Sequence, residues 1–181
     1  MKRIVLVCGV IAGILSVLWP IISIAKSGPD INFDGGMIYG YASMILAFSL
    51  IFVAIRNFRD KHNMGVISFG KAFRIGLYIS LIASTIYVVA WLIDYFYFVP
   101  DFNEKYTAHV LNKLKAGGAS VTEINSEAKK MAEFSDLYKN PLFAALITYL
   151  EILPVGLLVS VIAALILKRK TPKQSLAGYK V

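Results

Sequence analysis

Cysteine, histidine and charge are all scarce in this sequence. The single cysteine, Cys8, lies inside an apolar run, so no intrachain disulfide can form and no cysteine-based metal site can be built. The two histidines, His62 and His109, fall in separate polar segments on opposite sides of an apolar run, so they cannot share a metal. Charged residues make up 17% of the 181 residues and apolar types 57%, where soluble domains carry about 25% and about 45–50%. A chain so short of polar surface takes lipid as its solvent. No convergent acid, base and nucleophile can be assembled from the spacing, so neither an enzyme nor a bound cofactor is expected.

What the sequence has instead is four long apolar runs, at about 4–25, 36–55, 72–99 and 142–167. Each reaches the roughly 20 residues needed to cross about 30 Å of hydrocarbon at 1.5 Å per residue. Helices of a soluble core rarely run so long without a polar face. The expected fold is all-α, an integral membrane four-helix bundle. The remaining chain divides into a helical insert at about 100–140 and a basic tail at 168–181. Lys2, Arg3 and the first run resemble a signal peptide ending at Ser23-Ile24-Ala25, but the run is about twice a usual h-region. It is read as a retained span.

Charge fixes the expected orientation. Lys2, Arg3, Arg56, Arg59, Lys61, Lys71, Arg74, Lys168, Arg169, Lys170, Lys173 and Lys180 are twelve of the nineteen basic residues, opposed in those segments by Asp60 alone. The first loop sets Lys26 against Asp30 and Asp34, and the long third loop balances six lysines with six acids. Positive charge marks the cytoplasmic side, so both termini and the second loop are expected there, with the insert outside. That asymmetry accounts for the net charge of +8 and leaves no excess calling for nucleic acid. Trp19, Tyr39, Tyr41, Trp91, Tyr95 and Tyr97 collect at the outer ends of the runs, and Phe58, Phe69 and Phe73 at the inner ends, as headgroup-level aromatics do.

Within the insert, Phe102, Tyr106, Val110 and Leu114 recur at helical spacing up to Gly117-Gly118. Ser120-Val121-Thr122-Glu123 then has the form of a capping box, and Ile124, Ala128, Met131, Ser135 and Tyr138 line one face beyond it. An outer αα-hairpin is predicted. It is too small to be stable alone, so it should pack on the bundle. Asn140-Pro141 supplies an N-cap and an N1 proline for the fourth span.

The stretch from Gly65 to Lys71 fits G-x-x-x-x-G-K but continues with Ala72, which has no hydroxyl for a metal, and it follows a membrane helix where a phosphate loop follows a strand. It is read as a turn at the inner interface, with Val66, Ile67 and Phe69 dipping among headgroups and Lys71, Arg74, Arg56 and Arg59 contacting anionic lipid. Small residues recur as Gly9-x-x-x-Gly13, Gly36-x-x-x-Gly40 with Ser43 and Ala47, Gly76-x-x-x-Ser80 with Ser84, and Gly156-x-x-x-Ser160 with Ala164. Each gives one span a face for close helix packing, within the chain or in a homo-oligomer.

The sharpest functional candidates are the acids near or inside spans. Glu151 lies nine residues past Leu142, about 13 Å into the bilayer at 1.5 Å per residue. An ionised carboxylate there costs at least about 2.5 kcal/mol. It serves either as a proton or cation site or as a neutral acid hydrogen-bonded to Tyr87, Ser84 or Tyr149. Asp94 lies nearer the outer end, where an interfacial role fits. Pro20 and Pro154 are expected to kink their helices, and carbonyls freed near Pro154 would add polarity beside Glu151.

Several stretches resemble bacterial membrane proteins grouped as domain-of-unknown-function family 4199 (DUF4199). They are Tyr39-Gly40-Tyr41-Ala42-Ser43-Met44, Gly65-Val66-Ile67-Ser68-Phe69-Gly70-Lys71-Ala72-Phe73, Pro100-Asp101-Phe102, Asn140-Pro141-Leu142 and Glu151-Ile152-Leu153-Pro154-Val155-Gly156-Leu157. The resemblance implies four spans in a bacterial cell membrane and carries over no functional residue. The sequence leads to a non-enzymatic membrane protein that works by interaction or assembly with lipid, a second copy or another membrane protein. The alternative is a small proton- or cation-coupled transporter or channel component using Glu151.

Overall fold

The computed structural model describes residues 1–27, 33 and 36–169, with the side chains of 23–27 and 37 set aside. Lys170, Lys173 and Lys180 of the basic tail, and Asp30 and Asp34 of the first loop, lie outside what it describes, while Lys26 falls within the described backbone of α1. The described residues form α1 (Lys2–Ser27), α2 (Gly36–Phe48), α3 (Leu50–His62), α4 (Phe69–Ile93), α5 (Phe102–Ala116), α6 (Val121–Tyr138) and α7 (Pro141–Leu167), with a π-helical turn at Asp94–Phe98. Four stretches are long and apolar enough to cross a membrane: Lys2–Ile22, Ile38–His62, Phe69–Phe98 and Pro141–Leu167. Two boundaries move from the sequence expectation. The second span runs on through the charged turn of α3 and is broken at Ser49, whose hydroxyl donates to the Leu46 carbonyl (2.6 Å). The third begins at Phe69 because Ser68 caps it, accepting from the Lys71 amide (3.4 Å).

α4 is the centre of the bundle, packing most extensively against α7 and α1. The reason is small residues meeting large or hydroxyl-bearing ones. Gly9 and Gly13 of α1 lie against Ile82 and Ile86 of α4, where a Cβ would come within 2.9 and 2.8 Å of the isoleucine Cβ atoms. The α4 and α7 motifs interlock head to tail. A Cβ on Gly76 would lie 2.6 Å from Ser160 Oγ, and one on Gly156 would lie 2.7 Å from Ser80 Oγ. Ser160 donates to the Gly156 carbonyl (2.7 Å), so its oxygen is left to accept from Ser80 (3.2 Å). Around this seam Phe48, Ile51, Ile55, Ile75, Ile79 and Ile152 form a closed core. The Gly36-x-x-x-Gly40 motif behaves differently, since nothing among the described residues lies within 4 Å of a Cβ at either glycine.

In the turn at the basic end, one of the three side chains expected among headgroups is turned inward, while Phe69 is exposed. Ile67 is 2% exposed and plugs the core, and it exchanges two backbone hydrogen bonds of 2.9 Å with Arg169 beyond α7. The chain reverses through Met64 and Gly65 at φ 51° and 76°, a region in which glycine is unstrained. The half-buried Lys71 has partners within the chain: its ammonium donates to Asn63 Oδ1 (2.9 Å) and lies 5.0 Å from the centre of the Phe58 ring. Arg59 is likewise turned inward, donating to Asp60 Oδ1 (2.6 Å) and to the Leu167 carbonyl (3.3 Å). Arg59 thereby satisfies a carbonyl that the end of α7 leaves open, and Lys71 ties the start of α4 to Asn63 at the end of α3. Arg56 and Arg74 remain at the surface, Arg56 3.7 Å from Asp60 and Arg74 donating to the Gly70 carbonyl (3.4 Å).

At the opposite end α5 and α6 form the hairpin. Ser120 accepts from the Glu123 amide (3.3 Å), and the Glu123 carboxylate accepts from the Ser120 amide (2.8 Å), which completes the capping box. Those hydrogen bonds hold the Glu123 carboxyl below the usual carboxylate range. Asn140 accepts from the Leu142 and Phe143 amides (2.9 and 3.4 Å) and so starts α7.

Candidate functional site

Two places in the molecule gather side chains with chemistry. The first is the root of the hairpin. Trp91 near the end of α4 and Tyr95 in the π-helical turn pack into a small core with Tyr138, Ala144, Phe102, Phe143 and Ile147. Its polar atoms are paired in sequence. Thr148 donates to the Ala144 carbonyl (2.8 Å), leaving its oxygen to accept from Tyr138 (3.3 Å), whose own oxygen accepts from the Trp91 indole (2.8 Å). Asn103 of α5 donates to the Tyr95 hydroxyl (2.8 Å). Phe33, from the loop before α2, lies edge-on to Phe102 and Tyr106 at 5.6 and 5.4 Å between ring centres. The hairpin is therefore bolted to α4 and α7, and through Phe33 it touches the first loop.

Away from that root the hairpin is open. An open cleft of about 560 Å³ lies between α5 and α6 toward the tip, lined among others by Val110, Leu114, Lys113, Glu123, Glu127 and Lys130. On α6, Val121 is exposed near the tip, and Phe134 and Leu137 are exposed beside the root, where the Phe134 ring lies 5.4 and 6.1 Å from those of Tyr138 and Phe143. The chemistry offered is that of a contact surface: apolar patches framed by charges of both signs.

The second place is the hairpin-side half of the spans. Tyr87 is buried on α4, and Glu151, Tyr138 and Tyr41 are its electrostatic neighbours. Ser84, one turn before it, is fully buried, and its hydroxyl has no hydrogen-bond partner among the described residues. Asp94 opens the π-helical turn, half-buried, and borders a narrow crevice with Val17, Pro20, Tyr87, Ala90 and Trp91.

Tyr149, one of the three hydroxyls considered as partners of a neutral Glu151, bonds Thr85. Thr85 donates to the Leu81 carbonyl (2.8 Å) and accepts from Tyr149 (2.6 Å). Glu151 itself is exposed on the outer face of α7, as is Pro154 one turn later. Among the described residues no three His, Cys, Asp or Glu side chains are placed to hold a metal ion.

Asn63, Asn103 and Thr148 carry structural hydrogen bonds that sequence reasoning did not single out. The only available signal was their polarity beside apolar runs, which says nothing of the partner.

No curated protein and no solved structure matches the chain. The family described as a protein of unknown function, DUF4199, matches residues 8–169, nearly the whole chain with its spans and hairpin, and the protein belongs to that family.

Proposed function

We propose that this is a non-enzymatic protein of the bacterial inner membrane that works by assembly. On this reading both termini are cytoplasmic and the hairpin is the extracytoplasmic contact surface. The observation that carries it is a locked root beside exposed apolar side chains: the root is held to α4 and α7 by paired hydroxyl, indole and amide groups, while Val121 near the tip and Phe134 and Leu137 beside the root stay exposed. A rigid mount with an uncovered apolar face suits recognition, because little ordering entropy is lost on binding. The orientation follows from the basic residues gathered at the other end, where Arg56 and Arg74 are positioned for anionic headgroups.

Two measurements test this reading. A reporter fused after Val181 should be active only in its cytoplasmic form, and one inserted at Gly117-Gly118 only in its exported form. A photoreactive residue at Phe134 or Leu137 in native membranes should give discrete protein adducts that a residue at exposed Asn112 does not. An exported C-terminus would overturn the orientation, and an absence of adducts from both α6 positions would overturn the contact surface.

A second reading, proton- or cation-coupled transport using Glu151, has one observation in its favour: the buried, unpartnered Ser84 hydroxyl is one turn from Tyr87, which has Glu151 as an electrostatic neighbour. On that reading Glu151→Gln leaves the protein folded and abolishes a pH-dependent flux in reconstituted vesicles. Absence of any flux in the unmodified protein removes it.

A further inference from the structure

The outer face of α7 carries a polar feature that the fold itself leaves uncovered. Glu151, Pro154, Leu158 and Leu165 are all exposed, the two leucines at 62% and 49%. Glu151, Leu158 and Leu165 recur every seven residues, the spacing at which a helix presents one continuous seam to a parallel partner. Pro154 falls three residues into the repeat, on the same seam. It has no N–H, so the carbonyl of Leu150, four residues earlier, loses its usual intrahelical donor. Side by side in hydrocarbon the seam therefore holds an acid and an under-satisfied acceptor, a combination costly to leave facing lipid.

The chemistry of the cover can be narrowed. α7 contains no Lys or Arg from Pro141 to Leu167, and Lys71 and Arg74 lie at the far, basic start of α4, so a second copy cannot bring a cation to this depth. It can bring the same acid and the same carbonyl. An un-ionised carboxyl is donor and acceptor at once. The other open small-residue face, around Gly36 and Gly40 of α2, offers no such group, because the Ser43 hydroxyl there already donates to the Gly40 carbonyl (2.7 Å).

We propose that the Glu151 face of α7 is a self-association seam, along which two copies of this chain pack in parallel and the carboxyl of each donates to the carboxyl or the Leu150 carbonyl of the other. Two copies inserted the same way round are related by a twofold axis along the membrane normal. Such an axis preserves depth, so Glu151 can meet its own counterpart, and one self-complementary patch satisfies both copies. Hydrogen bonds between helices add to packing in lipid, where no hydrophobic force brings helices together. The seam lies in the spans and the proposed hairpin surface outside them, so either can fail without the other.

The test uses the full chain in native membranes with Cys8→Ser as background. Leu158→Cys should form a disulfide-linked dimer on mild oxidation, whereas Ile14→Cys, 52% exposed on α1 before substitution, should not. Adding Glu151→Leu should lower the Leu158→Cys dimer yield by about five- to thirty-fold, the range expected for one or two interhelical hydrogen bonds. Adding Glu151→Gln should preserve it, because an amide is also donor and acceptor. These two substitutions separate hydrogen bonding from folding, since both change a surface residue and the leucine is compatible with lipid. A Leu158→Cys protein that stays monomeric would overturn the proposal, as would one that cross-links only to a different protein. Equal dimer yields from Ile14→Cys, or a yield indifferent to Glu151→Leu, would overturn it too.

Discussion

Two faces of this molecule carry nearly the same motif and meet opposite fates. Gly76-x-x-x-Ser80 on α4 is locked against Gly156-x-x-x-Ser160 on α7, with each glycine receiving the other helix's serine. Gly36-x-x-x-Gly40 on α2 faces open space. A small residue permits close approach but does not compel it; the approaching partner must have a complementary shape at the same depth. The α4 and α7 serines supply that shape and also satisfy each other's hydroxyls. The contrast predicts unequal costs. Gly76→Ala and Gly156→Ala should each destabilise the bundle by about 1–3 kcal/mol through overpacking, whereas Gly40→Ala should be neutral or stabilising by up to about 1 kcal/mol. Unfolding in detergent micelles measures all three, and equal effects at Gly76 and Gly40 would erase the distinction.

A second contrast lies between the hairpin's root and its tip. At the root, Tyr138→Phe removes the acceptor of the Trp91 indole and the donor to Thr148. Leaving a buried donor unpaired costs about 1–3 kcal/mol. Hydrogen exchange should quicken across both α5 and α6 while α1 and the seam between α4 and α7 keep their protection. At the tip, Ser120→Ala should cost about 0.5–2 kcal/mol and raise exchange mainly in the first turns of α6. If the tip substitution loosened the root equally, the hairpin would be one cooperative unit.

The smallest expected effect is of pH on the same cap. Hydrogen bonds from the Ser120 amide and hydroxyl lower the Glu123 pKa. The cap's contribution is thus fully present above the unfolded-state value of about 4.3 and fades as pH falls through the lower folded-state value. Exchange at the start of α6 should rise in that acid window, and Glu123→Gln should flatten the dependence. An unchanged acid profile in that variant would point to another carboxyl.

The spans were legible from the sequence because span length and composition are local quantities set by bilayer thickness. The hairpin was legible for a related reason: Ser120 with Glu123, and Asn140 with Pro141, are caps whose donors and acceptors lie within three residues of each other. Lys71, Arg59 and Glu151 were harder. For the two cations the charge pattern gives the basic end of the molecule, but only the fold put Asn63, Phe58 and the Leu167 carbonyl within reach. For Trp91 and Tyr95, likewise, only the fold brought the returning Tyr138 and Asn103 within hydrogen-bond reach.

By itself, then, the sequence determined how many stretches of this chain are long and apolar enough to cross a membrane, where α6 and α7 start and which end is basic. Tertiary structure alone decided the rotation of each span about its axis, and with it which residues face one another. α7 makes the reason plain. It is apolar on nearly every side, so it lacks the polar stripe that tells a water-soluble helix which face to bury. Its orientation follows from the one side small enough to receive α4, at Gly156 and Ser160, and that choice leaves Glu151 facing outward.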